Sequence, residues 1–339
     1  MRSEDITKIF EAFIQHDSDS FHKTALDIIE NERRLKHHLL VEQLEKILNK
    51  KIGNGNGNNI PSFQSAPIPR DNEKGFRLLS IKKYFLNWED AILENDAKDS
   101  LKQIVKEVQR EDVLGTYGLK PKQKILFYGP PGTGKTLSAK VLSSIISYPT
   151  IIVNFESIIS SYLGETSSNL RKVFDYIEKG RWLVLFDEFD IIGKQRDDPT
   201  EHGEIKRVVN NFMLMLEHYE GDSIIIAASN HPHLLDIGVW RRFDEVIFFG
   251  LPDKKSRENL FEKYLKVMTK DVDIKYENLA EETTGFSGAD IEQACLNALR
   301  RIIIEDRKNI SMIDLKQSIA KQKDKLKAIG IKIDARRTS

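Results

Sequence analysis

The sequence predicts an α/β fold in which a five-stranded parallel sheet carries helices on both faces, preceded by a helical bundle and followed by a small all-helical domain. Three observations lead there. Between residues 76 and 252, short apolar runs alternate with helical stretches, the rhythm of strand-helix-strand crossovers. After Leu251-Pro252-Asp253 no strand candidate of comparable strength appears, and apolar residues recur at helical spacing. Before residue 50 the same helical period occurs alone.

Taken in order, residues 4–49 show three amphipathic pieces: Ile9, Phe10, Phe13 and Ile14, then Phe21, Ala25, Ile28 and Ile29, then Leu39, Leu40, Leu44 and Ile47. They predict a bundle over residues 1–50. Asp17-Ser18-Asp19-Ser20 supplies a turn and a cap, because its side-chain oxygens accept from free backbone N–H groups. Residues 51–75 contain Gly53-Asn54-Gly55-Asn56-Gly57, then Pro61, Pro67 and Pro69. With neither period nor bulk to pack, they predict a flexible linker. In the α/β domain, residues 76–252, strands fall near 125–128, 150–154, 182–186, 223–228 and 245–249. Helices are expected over 256–268, 274–282, 288–304 and 312–321, making a lid of residues 253–325 with a tail over 326–339. No internal repeat is found.

The chain has 339 residues, 52 Lys+Arg and 52 Asp+Glu, so no global field draws it to nucleic acid or anionic lipid. Cys295 is its only cysteine and is expected on a buried helix face, which excludes a structural disulfide within the chain and suits a reducing compartment. The start is amphipathic and no stretch is apolar enough to span a bilayer, so a cytoplasmic protein is expected.

The chemistry centres on Gly129-Pro130-Pro131-Gly132-Thr133-Gly134-Lys135-Thr136, which follows the apolar run 125–128 and precedes a helix beginning at Leu137. That strand, loop and helix form the context of a P-loop NTPase: glycines let consecutive N–H groups face phosphate oxygens, and the helix adds its positive dipole end. Lys135 would hold the β- and γ-phosphates and the Thr136 hydroxyl would ligate Mg²⁺. Some fifty residues later, Leu183-Val184-Leu185-Phe186 ends in Asp187-Glu188. Asp187 is expected in the magnesium shell, with Glu188 polarising the attacking water. ATP and Mg²⁺ are therefore the expected cofactors.

Two further features narrow the class. The strand over 223–228 leads through Ser229 to Asn230, which would lie between the P-loop strand and the acidic strand and sense the γ-phosphate or the water. Trp240-Arg241-Arg242-Phe243-Asp244 sets two guanidinium groups side by side, as arginine fingers would require.

These motifs, with Phe-Asp-Glu-Phe-Asp, Ser-Asn-His-Pro-His-Leu-Leu-Asp and Thr284-Gly285-Phe286-Ser287-Gly288-Ala289-Asp290-Ile291, resemble the AAA ATPases over about residues 88–320, and specifically their ring-forming protein-remodelling branch. The resemblance implies a homo-oligomeric ring of six subunits, with Arg241 and Arg242 acting on a neighbour's ATP. It places residues 91–93, Gly288 and Ala289 near the adenine and ribose. It also makes Ser160-Ser161-Tyr162-Leu163-Gly164-Glu165-Thr166 a central-pore loop, in which Tyr162 and Leu163 grip an extended polypeptide. A second polar loop, residues 197–203 with His202, would face the same channel more weakly. The adjacency of Arg241 and Arg242 is similar to katanin, spastin and the ATPase that disassembles ESCRT filaments, while Trp240 is similar to uncharacterised bacterial members.

The function this implies is an ATP-driven ring that remodels, unfolds or disassembles protein clients through its pore, with a client or adaptor recruited by residues 1–50. A second reading is a nucleotide-controlled regulatory partner of another protein, such as a protease or effector, that does not thread. Balanced charge and the Tyr-Leu loop count against a nucleic-acid motor, although Lys321, Lys323, Lys325 and Lys327 form a basic tail.

Overall fold

The computed structural model describes Thr24, Ile28, Ile29 and residues 67–71, 75–155, 158, 166–190, 202–232, 237–266, 269–270 and 274–328. Most of the expected N-terminal bundle, the linker through residue 66, the pore-loop pair Tyr162 and Leu163, residues 197–201 and the tail beyond residue 328 lie outside these residues. The chain divides into two units, Met1–Gln64 and Ser65–Ser339.

The main sheet of the second unit has six strands among the described residues: β1 (Leu79–Lys82), β2 (Lys124–Tyr128), β3 (Thr150–Val153), β4 (Leu183–Phe186), β5 (Ile224–Ser229) and β6 (Glu245–Phe248). Their order across the sheet is β1-β3-β4-β5-β2-β6. The five strands expected from the sequence are all present and mutually parallel. A sixth, β1, joins antiparallel at the edge, pairing Leu79 with Val153 and Lys82 with Thr150. Only Leu79 of its four residues is buried, so its sequence carries little of the apolar signal that marks the inner strands.

Between the strands run α1 (Asn95–Gln109), α2 (Glu111–Thr116), α3 (Lys135–Ile145), α4 (Thr166–Ile177), α5 (His202–Glu217) and α6 (Ile237–Trp240). Every residue of β4 and β5 is buried, as continuous apolar strands covered on both faces require. Alternate side chains enter separate cores. Leu126, Val184, Phe186, Ile225 and Ala227 meet Val173 and Phe174 of α4 and Phe212 of α5. Ile125, Phe127, Leu183, Leu185 and Ile226 meet Leu101 and Ile104 of α1 and Ala139 and Leu142 of α3. Each such buried side chain contributes about 1.5–3 kcal/mol, so this period-two division holds the strand ends in fixed register. The chain leaves β2 for β3 and later returns on the other side to β6, so the C-terminal end of β2 is a topological switch point where ligands bind in such sheets.

The lid comprises α7 (Lys254–Tyr264), α8 (Tyr276–Glu282), α9 (Gly288–Ile304) and α10 (Met312–Ala328) around its own core of Phe261, Phe286, Ile291, Cys295 and Leu315. It is not wholly helical: β7 (Thr269–Lys270) and β8 (Asn309–Ile310) pair in parallel. Two-residue strands are too short to register as a period. Caps set several boundaries. Asp253 accepts from the Ser256 N–H at 2.7 Å, starting α7 two residues before the expected position. Ser287 and Asp290 form a capping box at α9. Helix α10 continues to Ala328, so Lys321, Lys323, Lys325 and Lys327 stand on a helix rather than a tail. Burial pushes the Cys295 thiol up to about 12, leaving it inert.

Candidate nucleotide site

At the end of β2 the chain turns through Gly129, Pro130, Pro131, Gly132, Thr133 and Gly134 into α3. Gly129 has φ +141°, and a Cβ there would collide with the backbone carbonyl of Phe249 beyond β6. Gly132, at φ +77°, approaches the lid: a Cβ would lie 2.6 Å from Ser287 Oγ and 2.9 Å from the Ala289 Cβ. Only glycine satisfies both the backbone and the close approach. The loop closes on itself through the Thr133 hydroxyl, which donates to the Pro130 carbonyl at 2.8 Å. Pro131 is exposed, whereas Leu137 is half-buried in the first turn of α3.

Lys135 opens α3 and is 6% exposed. Its ammonium donates to the carbonyls of Gly129 and Pro130, each at 2.8 Å, folding back over the loop. Burial lowers its pKa to about 8, against the pull of Asp187 and Asp190. The Thr136 hydroxyl donates to Asp187 Oδ2 at 2.8 Å, so the P-loop and the acidic strand end meet directly. Glu188 follows with an exposed side chain and a left-handed backbone, φ +52°, an uncommon conformation for a residue bearing Cβ that concentrates at functional sites.

Strand β5 pairs with β4 on one side and β2 on the other, which places Asn230 between the two motifs as the sequence predicts. Its backbone N–H donates to Asp190 Oδ1 at 3.2 Å. Asp190 is 1% exposed and was not singled out by sequence; its only signal is its place as the third acid of Phe-Asp-Glu-Phe-Asp.

The two arginines differ. Arg242 Nε donates to Glu217 at 3.2 Å and its Nη1 to the Gly238 carbonyl at 2.7 Å. Arg241 is exposed, and no hydrogen bond or ion pair engages its side chain among the described residues. Trp240 places this turn beside the P-loop strand, its ring meeting that of Tyr128 edge-on with centroids 5.0 Å apart.

Helix α9 completes the enclosure. The Ala289 N–H donates to the Gly132 carbonyl at 3.1 Å. Gly288 lines a cleft with Leu93, Thr133, Phe249, Pro252 and Leu260, so residues from before β2, after β6 and the lid converge beside the P-loop.

Comparison with known proteins fits this geometry. Residues 125–251 match the ATPase family associated with various cellular activities, AAA, and residues 271–317 match the AAA+ lid domain. An uncharacterised AAA family ATPase of Sinorhizobium fredii is 33% identical over 303 residues, 89% of this chain and 90% of the relative. The chain belongs to the AAA ATPase family. A protein of Methanocaldococcus jannaschii named as a homologue of a 26S proteasome regulatory subunit is 33% identical, covering 74% of this AAA chain and 69% of its own length. A cell division cycle protein 48 homologue of Archaeoglobus fulgidus is 38% identical over 58% of this chain, but only 28% of that larger protein is matched. This AAA protein thus binds nucleotide and hydrolyses ATP, and its sheet and lid are those of the family. Among the described residues, no helix is long and apolar enough to cross a membrane.

Proposed function

We propose that this ATPase acts as a homo-oligomeric ring of six subunits that remodels, unfolds or disassembles protein clients through a central pore. The observation that carries the reading is Arg241: an exposed guanidinium, with no side-chain partner among the described residues, on the turn packed against the P-loop strand. A free cation there suits delivery to the phosphates of an adjoining subunit, and an arginine finger is worth about 10³–10⁵ in rate. Arg242, tied to Glu217, would hold the turn and reach across only when that pair opens.

Within one subunit, Lys135 exchanges its two loop carbonyls for the β- and γ-phosphates. Glu188 accepts a proton from the attacking water, and Asn230 orients that water. A hydroxyl and a carboxylate 2.8 Å apart at Thr136 and Asp187 suit Mg²⁺, a hard cation taking oxygen ligands. The Ala289 to Gly132 hydrogen bond gives the lid a direct grip on the phosphate loop, so a change of nucleotide state bears on lid position. Tyr162 and Leu163 would then move the client, and residues 1–50 would recruit it.

The test mixes Arg241→Ala with Glu188→Gln protein. Each alone should hydrolyse little ATP, yet a mixed ring pairs an intact finger with an intact water-activating carboxylate. Recovery above the sum of the separate variants is expected. Mixed rings that form and never exceed that sum would contradict action in trans and leave the non-threading regulatory reading as the better one.

A further inference from the structure

Helix α10 packs on the lid core through Leu315, Ile319 and Leu326, and the same stripe runs through the position between the last two, where the period asks for another apolar side chain. The residue there is Gln322, only 5% exposed. A buried amide costs stability unless it is hydrogen-bonded. Its Nε2 donates across to the first turn of α9, reaching Asp290 Oδ1 at 3.1 Å. The other oxygen of that carboxylate, Oδ2, accepts from the Ser287 N–H at 2.9 Å and from the Ser287 hydroxyl at 2.7 Å. Ser287 and the two residues after it stand against the phosphate loop. A Gly132 Cβ would lie 2.6 Å from Ser287 Oγ, a Gly288 Cβ would lie 3.3 Å from the Gly132 carbonyl oxygen, and the Ala289 N–H donates to that oxygen at 3.1 Å. Contacts therefore run from Gln322, through Asp290 and Ser287, to Gly132.

A polar pair inside an apolar interface fixes register, because sliding one helix by a turn would leave both groups buried without partners. An apolar side chain at residue 322 would serve packing alone; the amide also sets the height of α10 against the start of α9. We propose that Gln322 is a positioning residue for the phosphate loop: it holds the Asp290 carboxylate so that Ser287 and Ala289 meet Gly132 and keep the loop in its phosphate-binding shape. It acts through Asp290 and Ser287 rather than on the phosphates. The proposal rests on the placement of the phosphates on residues 129–136 given above.

The experiment uses the full chain, Gln322→Leu, Gln322→Met and a control, Asp314→Asn. The control weakens α10 at its other end, where Arg307 donates to Asp314 at 2.9 and 2.7 Å. Met, unbranched like Gln, keeps the test open should the branched Leu not fold. The first readout is hydrogen exchange of the Ala289 amide in nucleotide-free protein, and the second is ATP binding with steady-state hydrolysis. In the Gln322 variants Ala289 should exchange about fivefold faster and ATP should bind about fivefold more weakly, the scale of one hydrogen bond. The loss should fall on KM and leave kcat at saturation unchanged, because Glu188 and Asn230 follow β4 and β5 instead. Asp314→Asn should lower the unfolding temperature and leave Ala289 exchange and ATP affinity as they were. Gln322 variants that unfold earlier yet keep either the exchange rate or the affinity would overturn the positioning role, as would a control that reproduces both changes. Undiminished ATP binding by Lys135→Ala would instead overturn the placement of the phosphates and, with it, the proposal.

Discussion

The two ends of the proposed nucleotide site are built by different means. The phosphate end comes from one continuous segment: Gly129 to Thr136 turns over the end of β2, and most of its polar contacts run within the loop or to a single carboxylate, Asp187. The end that the family resemblance gives to the base has no motif of its own. Leu93 and Glu94 precede α1, Gly250 and Pro252 follow β6, and Leu260 and Gly288 belong to the lid. Backbone geometry that a few glycines encode suffices for phosphate, whose oxygens ask only for N–H groups and positive charge. A base asks for shape, and shape here is assembled from segments more than a hundred residues apart in the chain.

The sharpest way to break this contrast is Lys135→Ala, which removes the one ammonium folded over the loop. ATP affinity should fall by about 100-fold or more, since two charge-assisted hydrogen bonds are at stake, and titration with a fluorescent ATP analogue would measure it. Retained affinity would mean that the base end dominates binding. Gly132→Ala probes the place where the ends meet. Its methyl would meet Ser287 and Ala289 at a φ that costs a side chain about 1–3 kcal/mol, so ATP affinity should fall about tenfold. Gly115→Ala, with nothing within 4 Å of its Cβ, serves as the neutral control in the same titration.

A smaller effect concerns the lid alone. The Arg307 guanidinium grips Asp314 through two hydrogen bonds, at 2.9 and 2.7 Å, and holds its carboxyl well below the usual range. A carboxyl depressed in the folded state contributes stability that is present above its unfolded pKa, about 4, and is lost as pH falls toward the folded value. Asp314→Asn should cost about 1–3 kcal/mol at neutral pH and flatten the loss of stability below about pH 4. Thermal unfolding at pH 7 and pH 3.5 would show both effects. Wild-type pH dependence in the variant would exclude the Arg307 pair as their source.

What was legible in the sequence follows the same division. The five parallel strands, α9 and the relation of Lys135, Thr136, Asp187 and Asn230 were readable because each rests on local pattern: an apolar run, a cap, or a motif at a strand end. Strand β1 lacks that pattern because Ser80 and Lys82 interrupt its apolar residues, where β6 keeps Val246, Ile247 and Phe248 in one run, and β7 and β8 are two residues each and show no period. Asp190 was in plain view within a motif, yet nothing local says that its carboxylate takes the N–H of Asn230, forty residues away. Nor does adjacency distinguish Arg241 from Arg242; the difference is Glu217, which only the fold brings beside the second.

Water activation falls to Glu188 in this proposal, the exposed carboxylate held in a left-handed backbone at the end of β4. The deciding measurement is MgATP affinity and steady-state hydrolysis on one preparation of Glu188→Gln. The amide keeps the shape and leaves the phosphate contacts intact, so affinity should stay near that of the unaltered protein. It cannot take a proton from water, so turnover should fall by about 10²–10⁴. Near-normal turnover would contradict the account, because water activation would then belong to another residue.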